Sequence, residues 1–168
     1  MPAPSGNKTF AGGVDARIRD LGLALPASPS PLGAYVESSD TGNLLFLTGM
    51  LPVVNHKLAI TGRLGKDLTI AEGQEAARIA ALNALAVAKE HLGGFDRLKK
   101  LVKLTVLMAT TDAFTDLAPV ADGASNLFVQ VFGPEVGHTR LVYGVLSLPI
   151  GAPVIVDTIF EIDPAPIS

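Results

Sequence analysis

Apolar positions along this chain recur with two periods, and each change of period marks an element. "AYVESS" and "LLFLTGM" carry short, strand-like runs on either side of "DTGN", a turn signal, and together predict a hairpin. "LPVVNHKLAITGRLGKDL" reads as loop, with a short strand near 58–60. From Thr69 the period lengthens. Thr69 and Glu72 have capping-box spacing, and an Ala- and Leu-rich run continues until Gly93 and Gly94 stop it. Ile79, Leu82, Leu85 and Ala86 fall on one stripe, which must pack on something flat and apolar. "LVKLTVLMA" offers that surface as a strand over 101–109. A second helix is predicted over 119–132, with Pro119 in its first turn and Gly133 just past its end. Strands follow at 140–148 and 154–161.

Upstream, a loose tail over 1–12 leads into a short helix in "DARIRDLGL" and then "ALPASPSPLG", whose prolines enforce an extended linker. The order ββ(β)αβαββ predicts an α+β fold in which two helices cover one mixed sheet. The division is an N-terminal extension and linker over 1–32, one domain over 33–163, and a tail over 164–168. No internal repeat is found.

Composition adds two points. At 48% hydrophobic and 17% charged residues, with a mean hydropathy of +0.41, the chain is apolar for a monomer of 168 residues, and homo-oligomeric interfaces are expected. A net charge of −3 gives no general attraction to nucleic acid or anionic lipid, and the densest basic run, "RLKKLVK", reads as a solvated turn feeding a strand. There is no cysteine, which suits a reducing compartment, and the N-terminus lacks the apolar stretch of a signal peptide, so a cytoplasmic protein is expected. The uncharged run over 141–156 is broken by Pro149, Gly151 and Pro153 and is shorter than the roughly 20 residues of a spanning helix; it reads as two strands and a turn.

One cation interrupts the apolar pattern. Arg140 opens "RLVYGVLSLP", which reads as a buried strand, and a guanidinium that stays ionised needs a partner there. The partner is either the carboxylate of a small ligand, which a planar fork of donors fits bidentately, or an internal acid such as Asp157 or Glu161.

The element order, with "AYV", "GNLLFLTGMLP" and "HTRLVYGVLSLP" in sequence, resembles the reactive intermediate deaminase family, the Rid or YjgF-like group once labelled L-PSP endoribonucleases and translation inhibitors. The resemblance spans roughly 33–161. It implies a chorismate-mutase-like fold, trimers closed around a barrel, and clefts between subunits that bind small carboxylates. In deaminating members an arginine grips the carboxylate of an imine or enamine, and water releases ammonia and a 2-keto acid. That arginine falls on Arg140, the family tyrosine on Tyr35, and its serine on Thr48 beside Gly49. An asparagine near the second helix falls on Asp122. The family's glutamate on the last strand becomes Ile155, the glutamate four after the arginine Gly144, the cysteine two after it Val142, and the glutamine beside the serine Met50. The chain resembles a divergent branch that keeps the clamp and loses its polar surroundings.

Two acids are candidates to replace the lost base. Ile155, Asp157, Ile159 and Glu161 share one strand face, so Asp157 points as the family glutamate would, displaced by roughly 6–7 Å. It either acts through a water or neutralises a cation; Asp122 is the other candidate. Thr48 either positions ligand or satisfies its own strand end, and Tyr35 either closes the pocket or packs as an interface aromatic. His138 either borders the cleft or sits in an exposed loop. His56, His91 and His138 show no metal-ligand spacing, and nucleotide loops and the G-x-S-x-G elbow are missing, so neither cofactor nor metal is expected. The resemblance implies an imine deaminase with Arg140, Asp157 and Asp122 as catalytic candidates and Arg140, Tyr35, Thr48, Gly49 and Val142 as substrate contacts. The alternative is a non-catalytic carboxylate-binding trimer, and a ribonuclease ranks last.

Overall fold

The computed structural model describes residues 13–165, so the tail predicted over 1–12 lies outside the described residues. A short helix, α1 (Gly13–Asp20), precedes strands β1 (Ser38–Thr41), β2 (Leu44–Leu47), β3 (Val53–Val54) and β4 (Lys57–Leu58). Then come α2 (Ile70–Leu92), β5 (Leu98–Ala109), α3 (Leu117–Phe132), β6 (Thr139–Val145), a 3-10 turn at Pro149–Gly151, and β7 (Val154–Ile162). Five strands form one sheet in the order β1-β2-β7-β5-β6, parallel only between β5 and β6. The α+β architecture read from the sequence is the one found.

Strand β7 shows how one sheet makes two surfaces. Val154, Val156, Thr158, Phe160 and Ile162 are buried and alternate with half-buried Ile155, Asp157, Ile159 and Glu161. The buried set faces the helices, where Phe160 meets Phe128 and Phe132 with ring centroids 5.9 and 6.0 Å away. Helix α2 lies close because much of its buried side is alanine: Ala76, Ala77, Ala80, Ala81, Ala84 and Ala88. Its start is the predicted capping box. Thr69 Oγ1 accepts from the Glu72 N–H at 3.2 Å, and Glu72 accepts in return from the Thr69 N–H at 2.8 Å. Thr69→Ala is expected to lower stability by about 1 kcal/mol, read as an earlier urea midpoint at unchanged m-value.

Several local expectations are corrected. The first hairpin turns at Gly42-Asn43, with Asp40 and Thr41 in the ladder, and 34–37 stay outside the strand because Tyr35 closes a tight turn back to Gly33. The loop after β2 holds a small hairpin whose turn residues, Asn55 and His56, both have positive φ (51° and 63°). A turn of that kind usually carries glycine at its second position, so "NH" gave no signal. Helix α1 lies within the stretch assigned to the N-terminal extension, yet Val14 and Ile18 join the main core. The largest correction concerns β6. Read as buried, it is the exposed edge of the sheet, with Leu141 40% and Tyr143 48% accessible in the single chain.

Candidate functional site

Arg140 lies opposite Leu104 on β5, which in turn lies opposite Thr158 on β7, so its side chain leaves the sheet on the helix-covered face. There it meets α3. Nη1 donates to Asp122 Oδ1 at 2.6 Å and to Ser125 Oγ at 3.1 Å. The internal acid is therefore Asp122 rather than Asp157 or Glu161. Asp157 stands opposite Thr105, one residue along, and points from the other face of the sheet. It does not approach Arg140 within one chain; burial raises its carboxyl above the usual range, opposed by the Lys103 charge and the Thr158 N–H.

Both hydrogen bonds of Arg140 use one nitrogen. Nε and Nη2 have no protein partner among the described residues, and the side chain remains 26% exposed. Asp122 and Ser125 thus hold the guanidinium from behind and leave its second donor edge open. Ser125 Oγ also lies 3.0 Å from His138 Nε2. Burial, and then the charge of Arg140, hold His138 below the ordinary histidine value, which fits a neutral ring accepting the serine proton. Val142, two residues after Arg140, packs against the core, and a Cβ on Gly144 would lie 2.8 Å from Thr110 Oγ1.

The remaining candidates gather elsewhere. Tyr35 and Gly49 line a cavity of about 210 Å³ with Leu32, Met50, His56 and Ile150. The Tyr35 hydroxyl accepts from the Leu32 N–H at 2.9 Å. Glu37 borders the same space, and burial raises its carboxyl. Thr48 precedes Gly49, with its N–H on the Glu37 carbonyl. Gly49 itself is pressed on Ile155: a Cβ there would lie 2.6 Å from Ile155 Cγ2. Buried Asn83 of α2 fixes this loop by donating to the carbonyls of Leu51 and Val53, both at 2.9 Å. Three strand steps separate this group from Arg140, roughly 14 Å at about 4.8 Å per step. Within one chain, then, the structure brings Arg140, Asp122 and Val142 together at one edge, Tyr35, Thr48 and Gly49 together near the other, and does not join the two.

Asn83 and Ser125 were missed in the sequence because a polar residue inside a helical run looks like surface. His138 was named from its nearness to Arg140 in the chain, with the cleft border and an exposed loop both open, and the structure sets it against Ser125. Among the described residues, no three His, Cys, Asp or Glu side chains gather as a metal site, and no helix is long and apolar enough to cross a membrane.

The family model described as "YjgF/chorismate mutase-like, putative endoribonuclease" matches residues 15–162. The chain belongs to the YjgF-like family. Protein TCP17 of Trypanosoma cruzi is 42% identical over 154 residues, covering 91% of this chain and 96% of that protein. A protein of Shewanella oneidensis described as a "putative endoribonuclease" superposes with a TM-score of 0.85 at 31% identity over 89% of this chain and 99% of its own. The Agrobacterium tumefaciens protein Atu1372, described as of unknown function, does so with 0.81 at 37% identity over 89% and 92%. The YjgF-like match starts at residue 15, so it takes in most of helix α1 as well as the sheet.

Proposed function

We propose that this chain binds the carboxylate of a small imine or enamine on Arg140 and promotes its hydrolysis to a 2-keto acid and ammonia. The observation that carries the reading is the half-used guanidinium, held on Nη1 by Asp122 and Ser125 with its Nε and Nη2 edge open. That edge presents two parallel N–H donors, the geometry that fits a carboxylate. Two further observations support a site completed by a second copy of the chain. Strand β6 is an edge with free backbone donors and acceptors, and the sheet face away from the helices leaves Phe46, Leu141 and Tyr143 each at least 40% exposed. In the proposed trimer the exposed β6 edge that carries Arg140 in one copy meets the Tyr35, Thr48 and Gly49 group of the next, and the apolar cavity of that group seats the substrate side chain.

Chemically, water oxygen adds to the imine carbon, the C=N bond opens, and collapse of the carbinolamine expels ammonia and leaves the keto carbonyl. Arg140 fixes the carboxylate, and the Thr48 hydroxyl and nearby backbone orient nitrogen and water. Asp122 is tied to Arg140, so it is not a free base. With a proton-transfer residue typically contributing ~10²–10⁴ in rate, a site with Ile155 in place of the family glutamate is expected to be modest. Those same features favour a second reading, a metabolite-binding trimer without turnover, because binding needs the clamp alone. The ribonuclease reading stands last: the net charge is −3, and His91 and His138 are engaged separately, with Asp40 and Ser125.

The test is keto-acid release from freshly generated 2-aminoacrylate, together with calorimetric titration of pyruvate. Release faster than the spontaneous rate supports the deaminase. Pyruvate binding without faster release supports the binding trimer. Neither binding nor release defeats both.

A further inference from the structure

We propose that His138 is the proton-exchanging group of the Arg140 site, coupled to it across Ser125, so that a carboxylate entering the site brings a proton with it. This rests on the reading of Arg140 as a carboxylate clamp. The geometry is a continuous line of contacts: Asp122 Oδ1 2.6 Å from Arg140 Nη1, that nitrogen 3.1 Å from Ser125 Oγ, and that oxygen 3.0 Å from His138 Nε2. Arg140 only donates. Ser125 therefore accepts from it and has one proton to give, which a neutral His138 takes at Nε2. A protonated ring would point a second donor at the same hydroxyl, and the serine proton would have to find another acceptor.

The groups around His138 fix the sign. From α3 it faces the neutral Ser125 and, through Arg140, the carboxylate of Asp122; from β6 it faces Arg140; Glu135 precedes it in the same loop. Burial and the Arg140 charge both disfavour a second cation there. A ligand carboxylate on Nε and Nη2 offsets the Arg140 charge and removes one of those causes, so the proton affinity of His138 rises when ligand binds. By linkage, binding then tightens as the pH falls below the ordinary histidine range near 6.5, with a slope approaching, and not exceeding, about tenfold per pH unit for one proton. Above that range both forms are neutral and the affinity is flat.

The experiment is calorimetry on the intact protein near pH 6 with pyruvate as the probe, repeated in two buffers of different ionisation enthalpy. The wild type is expected to take up a fraction of a proton for each pyruvate bound. H138Q, whose side-chain carbonyl still accepts from Ser125 but cannot titrate, is expected to bind pyruvate with no uptake. Wild-type binding with no uptake, or with proton release, overturns the inference and leaves the clamp intact. Uptake that persists in H138Q also overturns it. No pyruvate binding by the wild type at either pH 6 or pH 7.5 overturns the clamp itself and the inference with it.

Discussion

Arg140→Ala is expected to bring keto-acid release down to the spontaneous rate and to weaken pyruvate binding by about 10²-fold or more, the equivalent of losing a charge-assisted pair worth a few kcal/mol. Stability should change little, because the Asp122 carboxylate left behind is 48% exposed and water can solvate it. That separation is the point of the experiment: affinity collapses while the thermal midpoint moves by no more than a few degrees. Arg140→Lys keeps the charge but loses the fork, so it should recover only part of the affinity. A variant that matches wild type in both assays would remove Arg140 from the site.

The second large effect is structural and reaches the same residues. Gly123 lies on α3 between Asp122 and the turn that carries Ser125, where α3 crosses α2. A Cβ there would stand 2.0 Å from the Gln74 carbonyl oxygen and 2.7 Å from its Cα. Backbone cannot yield as a side chain does, so Gly123→Ala must force the helices apart. Alanine gains about 1 kcal/mol over glycine in helix propensity, but overpacking costs typically 1–3 kcal/mol and more where backbone is struck. With the overpacking cost at the upper end of its range, we expect a net loss of about 2 kcal/mol, seen as an earlier urea midpoint. Because Asp122 and Ser125 move with the helix, ligand affinity should fall as well. A variant as stable as wild type would show that the crossing has more room than these distances allow.

Much of the fold was legible because its causes are local. A capping box is four residues long, and Gly93 closes α2 at φ 72°, a left-handed conformation that glycine adopts without strain. The alternation in "VIVDTIFEI" assigned Ile155 and Asp157 to one face correctly, since side-chain direction in a strand follows from the pleat alone. Failures came where the deciding partner is distant. Nothing local in the helical run marks Asn83, which is a buried clamp on the loop at Leu51 and Val53, 32 and 30 residues away.

For the site the division is sharper. By itself the sequence determined that one arginine would sit at the start of an apolar strand, in a chain of YjgF-like pattern with Ile155 and Gly144 where carboxylates are expected. It could not say that β6 is an exposed edge, because an apolar run reads alike whether the strand is central or at the edge of the sheet. Nor did it find Asp122 as the partner of Arg140; the internal acids it offered were Asp157 and Glu161. Strand order and the face from which a side chain leaves made that pairing, bringing together residues 18 apart in the chain and placing Asp157 behind the sheet. Local periodicity sets which face a residue takes; only the packed arrangement of elements sets what stands opposite it.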